Sequence, residues 1–200
     1  MKQKYRFDIE QNTDEWIAIK VGMFSASSAA DLLMDKKTKG YSSLIRKITE
    51  ERITGEPTES KWTGNKFTER GHELEPLGIE SYSLESFESV ESVGVVINSD
   101  WSLCSPDGLI RDDRLLQIKC PIFSTQWDYI LSQKCPTNYY KQMQFELFVT
   151  GRQSNIFYSW HPVLRAVKIE LIRDEQMISM IEQRLKEAIE EVKVNIKILT

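Results

Sequence analysis

The stretch Cys104-Ser-Pro-Asp-Gly-Leu-Ile-Arg-Asp-Asp-Arg-Leu-Leu-Gln-Ile-Lys-Cys-Pro121 decides how this chain is read. Arg111-Asp112-Asp113 is the only turn-like segment between its two apolar runs. A three-residue hairpin loop there pairs position 110 with 114, and therefore 107 with 117, because paired positions keep one sum. Directly opposed residues carry their Cβ atoms about 5 Å apart on one face. Strand alternation adds Lys119 to that face and turns Ile118 to the other. The spacing predicts an acid, an amide and an ammonium in one cluster. Taken alone, the same alternation also describes the solvent face of a surface hairpin.

Outward from this hairpin, the upstream pattern is helical. Thr13 is placed to cap a short helix over 14–20, with acidic residues in its first turn. Ser25 or Ser27 caps a second that runs through Leu32 and Leu33, and Ser42 precedes a third that carries Leu44, Ile45 and Ile48 and stops at Gly55. A longer helix opens at Asn65 and passes Phe67, Leu74 and Tyr82, disturbed by Gly71 and Pro76. The runs 87–97, 101–110 and 115–120 then read as strands. A short helix follows over 125–131, and Pro136 stands where a first-turn proline belongs for a helix carrying Tyr139, Tyr140, Met143, Leu147 and Phe148. Strands over 156–160 and 166–172 precede a final amphipathic helix from Asp174 to about Lys197. With no repeat or linker, residues 1–200 read as a single α/β (α+β) domain, a central mixed sheet flanked by helices.

Composition narrows the function classes. The 200 residues are 40% hydrophobic and 28% charged, enough for a core without disulfide or metal staples. The 26 basic and 30 acidic residues leave a net charge of −4, which argues against a protein held on nucleic acid by bulk charge alone. The longest apolar stretch, Val93 to Ile97, is far too short for a membrane span, and the N-terminus shows no apolar signal core. A cytoplasmic protein with no membrane partner is expected. Cys104, Cys120 and Cys135 show no CxxC spacing and read as reduced thiols. His72 and His161 alone supply a His-rich zinc site poorly. No Gly-rich phosphate loop implies ATP.

Pro-Asp followed after nine residues by an acidic-x-Lys tripeptide is the core of the PD-(D/E)XK nuclease superfamily, and Gln117 stands here at the acidic position. Further motifs accompany it: Ser105-Pro106-Asp107-Gly108, Gln117-Ile-Lys-Cys-Pro121, and Tyr140-Lys-Gln142-Met-Gln144-Phe-Glu-Leu-Phe-Val-Thr150. Upstream lie Trp16, Lys20-Val-Gly-Met-Phe-Ser-Ala-Ser27 and Gly71-His-Glu-Leu-Glu75. In order and spacing the chain resembles the lambda-exonuclease, YqaJ-type viral recombinase family, from Trp16 to about the final helix. The resemblance implies a restriction-endonuclease-like core and a Mg²⁺-dependent exonuclease, with Mn²⁺ as substitute and two ions per site. Such an enzyme degrades one strand of duplex DNA from its 5′ end and leaves a 3′ single strand for recombination. It further implies a phage or prophage origin, a ring-shaped homotrimer and a single-strand annealing recombinase as partner.

Carried over by position, Glu75 and Asp107 are metal-binding carboxylates, Gln117 takes the place of the third acidic ligand, and the Ile118 carbonyl completes the set. Lys119 positions or activates the attacking water. Hard Mg²⁺ takes oxygen donors, which is why carboxylates and carbonyls are needed here. Glu73 is the rival of Glu75, since glutamates on helices are commonly solvated. The resemblance assigns Lys20, Ser27, Ser105 and Gln144 to a pocket for the terminal 5′-phosphate. Against that, Ser27 also reads as a helix cap, Gln144 as a polar residue on the open side of an amphipathic helix, and Tyr140 as packing. Trp16, Trp62, Trp101, Trp127 and Trp160 read as core or interface. Lys36, Lys37, Lys39, Lys61 and Lys66 are either DNA-backbone contacts or solvated loop lysines. Since Gln117 brings no charge, impaired cleavage with retained DNA grip is expected, together with a gain of orders of magnitude for Gln117→Glu. The competing readings are a catalytically silent DNA-end-binding module and a structure-specific endonuclease on the same core.

Overall fold

The structure is a computed structural model that describes residues 3–58 and 66–200, with side chains described at all of these except 66–69 and 72. Lys61, Trp62 and Asn65, and the side chains of Lys66, Phe67 and His72, therefore lie outside the described residues.

The run 101–110 does not form one strand. It gives β4 (Ser102–Cys104) and β5 (Gly108–Ile110), which belong to different sheets. Pro106 has no N–H for a ladder, so pairing stops there. Gly108 restarts it against Val90, whose Cγ1 lies 2.2 Å from where a Cβ on residue 108 would stand. The expected central mixed sheet is accordingly two mixed four-stranded sheets. The first holds β1 (Lys4–Arg6), β2 (Phe24–Ser25), β3 (Val95–Ser99) and β4 in the order β1-β3-β4-β2. The second holds β5, β6 (Arg114–Lys119), β7 (Ser154–Ser159) and β8 (Val167–Ile172) in chain order. β2 pairs with β4, and β6 with β7, in parallel; the remaining ladders are antiparallel. Of the run 87–97, the N-terminal half only touches the second sheet, through a single Glu91–Leu109 bridge.

Seven α-helices occur among the described residues. In α1 (Asp14–Lys20) the Thr13 hydroxyl accepts from the Trp16 N–H, as expected of its cap. Ser25 stands at the N-cap of a short 3₁₀ turn, Ala26–Ser28, which leads into α2 (Ala29–Leu32). α3 (Lys39–Thr54) starts about a turn before Ser42, because Thr38 offers a hydroxyl to the Tyr41 N–H. α4 (Lys66–Ser86) continues through Gly71 and Pro76. After α5 (Phe123–Ser132), α6 (Thr137–Thr150) has Pro136 at its N-cap, one position before the first-turn site expected. Asp174 caps α7 (Glu175–Leu199), accepting from the Gln176 and Met177 N–H groups.

The main core packs α2, α3, α6 and α7 around Phe24, Leu32, Ile48, Val96, Phe145 and Ile181. A second cluster, with Tyr82, Ile110, Leu116, Ile118, Ile156 and Tyr158, lies between α4 and the opposite face of the second sheet. Ile118 therefore faces α4, while residues 115 and 117 of β6 face α6. The hairpin β5–β6 is held between two helices, and both reach its end.

Candidate active site

The hairpin pairs Ile110 with Arg114, Leu109 with Leu115 and Gly108 with Leu116. This is the predicted register, and its next step opposes Asp107 and Gln117. Asp107 Oδ2 accepts from the Ile118 N–H at 2.7 Å and, in a short contact, from Gln117 Nε2. Lys119 ends β6 with its Nζ 5.2 Å from the centroid of the Tyr139 ring. Arg70 ties α4 to the chain just after β6, donating to the Cys120 and Pro121 carbonyls at 2.7 and 2.9 Å. That tie sets Glu75, more than a turn further along α4, into a cavity of about 490 Å³ shared with Arg70, Lys119, Tyr129 and Tyr139. Burial pushes the Glu75 carboxyl up to about 7, the charge of Asp107 adds to this, and Lys119 opposes it. Glu75, Asp107 and Lys119 thus form one electrostatic group, which Gln117 joins through its hydrogen bond to Asp107. Glu73 is exposed and is not among the residues lining the cavity.

Sequence reasoning missed the far side of this group. Gln142 on α6 donates from Nε2 both to Gln117 Oε1, at 2.8 Å, and to Glu146 Oε1, at 3.0 Å. Asn155 on β7 donates to Glu146 Oε2 at 2.7 Å. Glu146 is 0% exposed, and burial pushes its carboxyl up to about 8. The amide donors of Gln142 and Asn155 and the charge of Lys119 pull it down, while Asp107 pushes it further up. Gln142 thus turns its NH₂ toward Glu146, whose oxygen accepts. The same NH₂ meets Gln117, whose carbonyl must face it. The NH₂ of Gln117 is thereby directed at Asp107. The available signal was Gln142 and Glu146 four residues apart, one helical turn, inside the apolar run Met143 to Val149.

The residues assigned to an end-phosphate pocket separate into two places. Lys20 Nζ lies 3.4 Å from the centroid of the Trp16 ring, and Trp16 Nε1 donates to Ser105 Oγ at 2.9 Å. Ser27 Oγ lies 2.9 Å from Ser25 Oγ, where the chain leaves β2. Since Ser25 pairs in parallel with Leu103, Ser27 and Ser105 both stand two residues beyond that pair, at the same end of the two strands. Gln144 is not brought to them. It is 0% exposed, donates to the Ile172 carbonyl and accepts from the Asp174 N–H, so it fixes α6 to the entry of α7. Its reading as a polar residue on the open side of a helix is corrected as well, because that side of α6 is covered. Tyr140 does more than pack: its hydroxyl donates to Asp174 at 2.7 Å.

Lys36, Lys37 and Lys39 are exposed, and Lys36 pairs with Glu187 at 2.9 Å. Trp101 packs beneath the Arg52 guanidinium, and Trp127 is exposed and stacked with Phe123. Trp160 borders the second core cluster, and His161 meets Phe123 edge-on. All three cysteines are free thiols.

Residues 15–153 match the YqaJ-like viral recombinase domain. The chain belongs to the YqaJ-like viral recombinase family. No curated protein sequence matches it. Among solved structures it is similar to LHK-Exo, an alkaline exonuclease from Laribacter hongkongensis, with 32% identity, a TM-score of 0.85 and coverage of 94% of this chain and 96% of that one. A second structure of LHK-Exo, in complex with dAMP, matches with 31% identity, a TM-score of 0.86 and the same coverage. A phage-related exonuclease from Haemophilus somnus shares the fold at 16% identity, with a TM-score of 0.70 over 89% of this chain and 96% of that one.

The donor set of this YqaJ-like site fits a hard divalent cation in kind. Glu75 and Asp107 offer carboxylates and Ile118 a carbonyl, all of them oxygen. Gln117 offers its own oxygen only with its amide turned over from the hydrogen-bonded arrangement described above. Among the described residues no three His, Cys, Asp or Glu side chains converge as a ready metal site, since the third member of this group is an amide.

Proposed function

We propose that this protein is a Mg²⁺-dependent exonuclease on linear double-stranded DNA. It removes one strand 5′→3′ and leaves a 3′ single strand for phage-type recombination. The observation that carries this reading is the hairpin register, which gathers Asp107, Gln117 and Lys119 opposite Glu75. The description of LHK-Exo as an alkaline exonuclease, and its complex with dAMP, support it. Glu75, Asp107, Gln117 and the Ile118 carbonyl would hold the cations, two per site, with Mn²⁺ as substitute. Bound there, they supply charge stabilisation at the scissile phosphate and a water of lowered pKa. The chain's own share is orientation. Lys119 holds the water and screens the phosphate oxygens, Tyr139 flanks its ammonium, and Arg70 fixes the helix that carries Glu75. Lys20 and Ser105, both in contact with Trp16, and Ser27, at the same end of the paired strands as Ser105, receive the 5′-phosphate.

A homotrimeric ring fits the acidic balance of the chain, because a closed ring retains DNA topologically and needs fewer phosphate contacts. The place of action is the cytoplasm of a bacterial host, beside a single-strand annealing recombinase. The deciding experiment compares 5′-phosphorylated linear duplex with covalently closed circles, each with Mg²⁺ and with EDTA. Stepwise loss of the linear 5′ strand only, dependent on Mg²⁺ and abolished by Asp107→Ala, is the expected result. Cutting of circles would make it an endonuclease. One observation favours a second reading, an end-binding module that does not cut: Gln117 directs a donor, not an acceptor, at Asp107. Mg²⁺-independent binding of ends with no product would establish that reading.

A further inference from the structure

Arg70 carries more chemistry than its place in the fold uses. One of its nitrogens, Nη1, donates to both the Cys120 and the Pro121 carbonyls and so ties α4 to the end of β6. Elsewhere in the chain the same task falls to a neutral amide. Gln126 Nε2 joins the Ser159 and Arg165 carbonyls at 3.2 and 2.9 Å, in a fully buried place. A tie between two carbonyls therefore needs neither a charge nor further donors, and Arg70 has both. Among the described residues its Nε and Nη2 have no hydrogen-bond partner, and no carboxylate lies within ion-pairing distance of it. The side chain is half-buried and lines the cavity that holds Glu75 and Lys119. With Nη1 anchored, the guanidinium plane is fixed, and the Nε and Nη2 donors form a ready fork for two phosphate oxygens.

The order of the groups selects the phosphate. The chain enters the β5–β6 hairpin from Ser105, in the proposed end-phosphate pocket, and leaves it at Cys120, where Arg70 is tied. Asp107 and Lys119 stand between these two points, at the open end of the hairpin. A strand laid with its terminal phosphate at Ser105 and its scissile phosphate at Asp107 and Lys119 runs next toward Arg70. We propose that Arg70 grips the phosphate that follows the scissile one, on its 3′ side, in the strand being cut. Holding the phosphates on both sides of the scissile one sets the register, so that each cut removes one nucleotide. The inference rests on the nuclease reading above.

The test pairs this side chain with one linkage of the substrate. A 5′-phosphorylated linear duplex is made with a single neutral methylphosphonate between the second and third nucleotides of the 5′ strand. Its first cut, with Mg²⁺, is compared with that of the all-phosphate duplex. In wild type the neutral linkage should lower kcat/KM by about 10–100-fold, as expected when a charged hydrogen-bond partner is lost. The loss should lie in KM, because the contact is made before and during the cut alike. Arg70→Gln, with folding checked by thermal unfolding, should lose about as much on the all-phosphate duplex. On that variant the neutral linkage should cost less than about threefold more, since the two changes remove one contact. Arg70→Lys keeps a charge without the fork and should stay sensitive to the linkage. A neutral linkage that wild type tolerates, or that costs wild type and Arg70→Gln equally, would overturn the proposal. Arg70 would then be only the tie of α4, and the nuclease reading would stand. Failure of wild type to cut the all-phosphate duplex would overturn the two together.

Discussion

Under the proposed function the two sheets divide the work, and they are built from different materials. In the first, the strands are two to five residues long, and the groups beside them are serine hydroxyls and a lysine, with Ser105 and Lys20 meeting on Trp16. In the second, three of the four strands run six residues, and the groups beside them are partly or fully buried acids and amides and an ammonium. A long ladder fixes side-chain direction at every second residue, so it suits chemistry that tolerates little displacement. Short strands and a 3₁₀ turn suit recognition of a mobile, multiply accepting phosphate. The three residues Ser105-Pro106-Asp107 join the two, so the serine proposed for end recognition and the acid proposed for cutting stand only two positions apart. Cutting and end recognition should therefore be separable by mutation, although the groups that perform them are neighbours.

The most severe break of that symmetry lies in the second sheet. Asp107→Ala removes a carboxylate and the acceptor for Gln117 and Ile118, and Lys119→Ala removes the single ammonium facing Glu75 among the described residues. Single-turnover cleavage should fall by about 10³-fold or more for each, in line with the loss of a catalytic group. DNA-end affinity, read by fluorescence anisotropy, should change less than about threefold. Ser105→Ala in the first sheet should show the reverse balance, with cleavage reduced by less than about tenfold. Equal losses of cleavage in the two sheets would dissolve the division.

A second, smaller effect concerns the joint itself. A Cβ on residue 108 would come 2.2 Å from Val90 Cγ1, whereas on residue 94 it would come 2.1 Å from the Ile9 carbonyl oxygen. Overpacking of this kind costs about 1–3 kcal/mol, and urea denaturation should show it for Gly108→Ala and for Gly94→Ala. The first obstacle is a side chain, so Val90→Ala should rescue Gly108→Ala. The second is main chain, and no such partner exists for Gly94→Ala. Cleavage by the stable fraction should suffer only for residue 108, which adjoins Asp107.

The same contrast explains what was legible in the sequence. The hairpin register follows from a local turn, Arg111-Asp112-Asp113, and the position of Arg111 at a φ of 48° belongs to that turn. Asp107, Gln117 and Lys119 could be gathered from it without any distant information. β1 and β2 were invisible because strands of three and two residues have no period to detect, and their partners lie about 80 to 90 residues away. The break at Pro106 was read through because the apolar run continues beyond it; only Val90 reveals where the chain must turn. The misreading of Gln144 and the missing of Glu146 share one cause. A helix covered on all sides hides its polar residues, and the main-chain groups at 172 and 174 that take up Gln144 are set by the fold alone. Lys20 and Ser105 came from resemblance, and their common contact, Trp16, is supplied by the structure.

The finest probe of the comparison is the pH dependence of end preference. Burial pulls the Lys20 ammonium down to about 8, and the neighbouring charge of Lys47 lowers it further in the same direction. A lysine lowered in this way is charged below about pH 8 and neutral above it, so its attraction for a 5′-phosphate is full at pH 7 and lost as the pH rises. The ratio of kcat/KM for 5′-phosphorylated and 5′-hydroxyl ends reports the free protein and should fall through pH 8. Lys20→Arg keeps its charge throughout that range, so the ratio should stay level to pH 9, at the cost of a different geometry. Lys47→Ala removes the like charge and should move the fall toward higher pH by less than about one unit, the smallest effect considered. Cleavage of 5′-hydroxyl ends serves as the internal reference, because the acids and amides of the second sheet act on both substrates alike. A ratio that does not vary between pH 7 and 9 in the wild type would remove Lys20 from end recognition. Its contact with Trp16 would then be a packing feature of the first sheet, and the division of labour between the sheets would lose its recognition half.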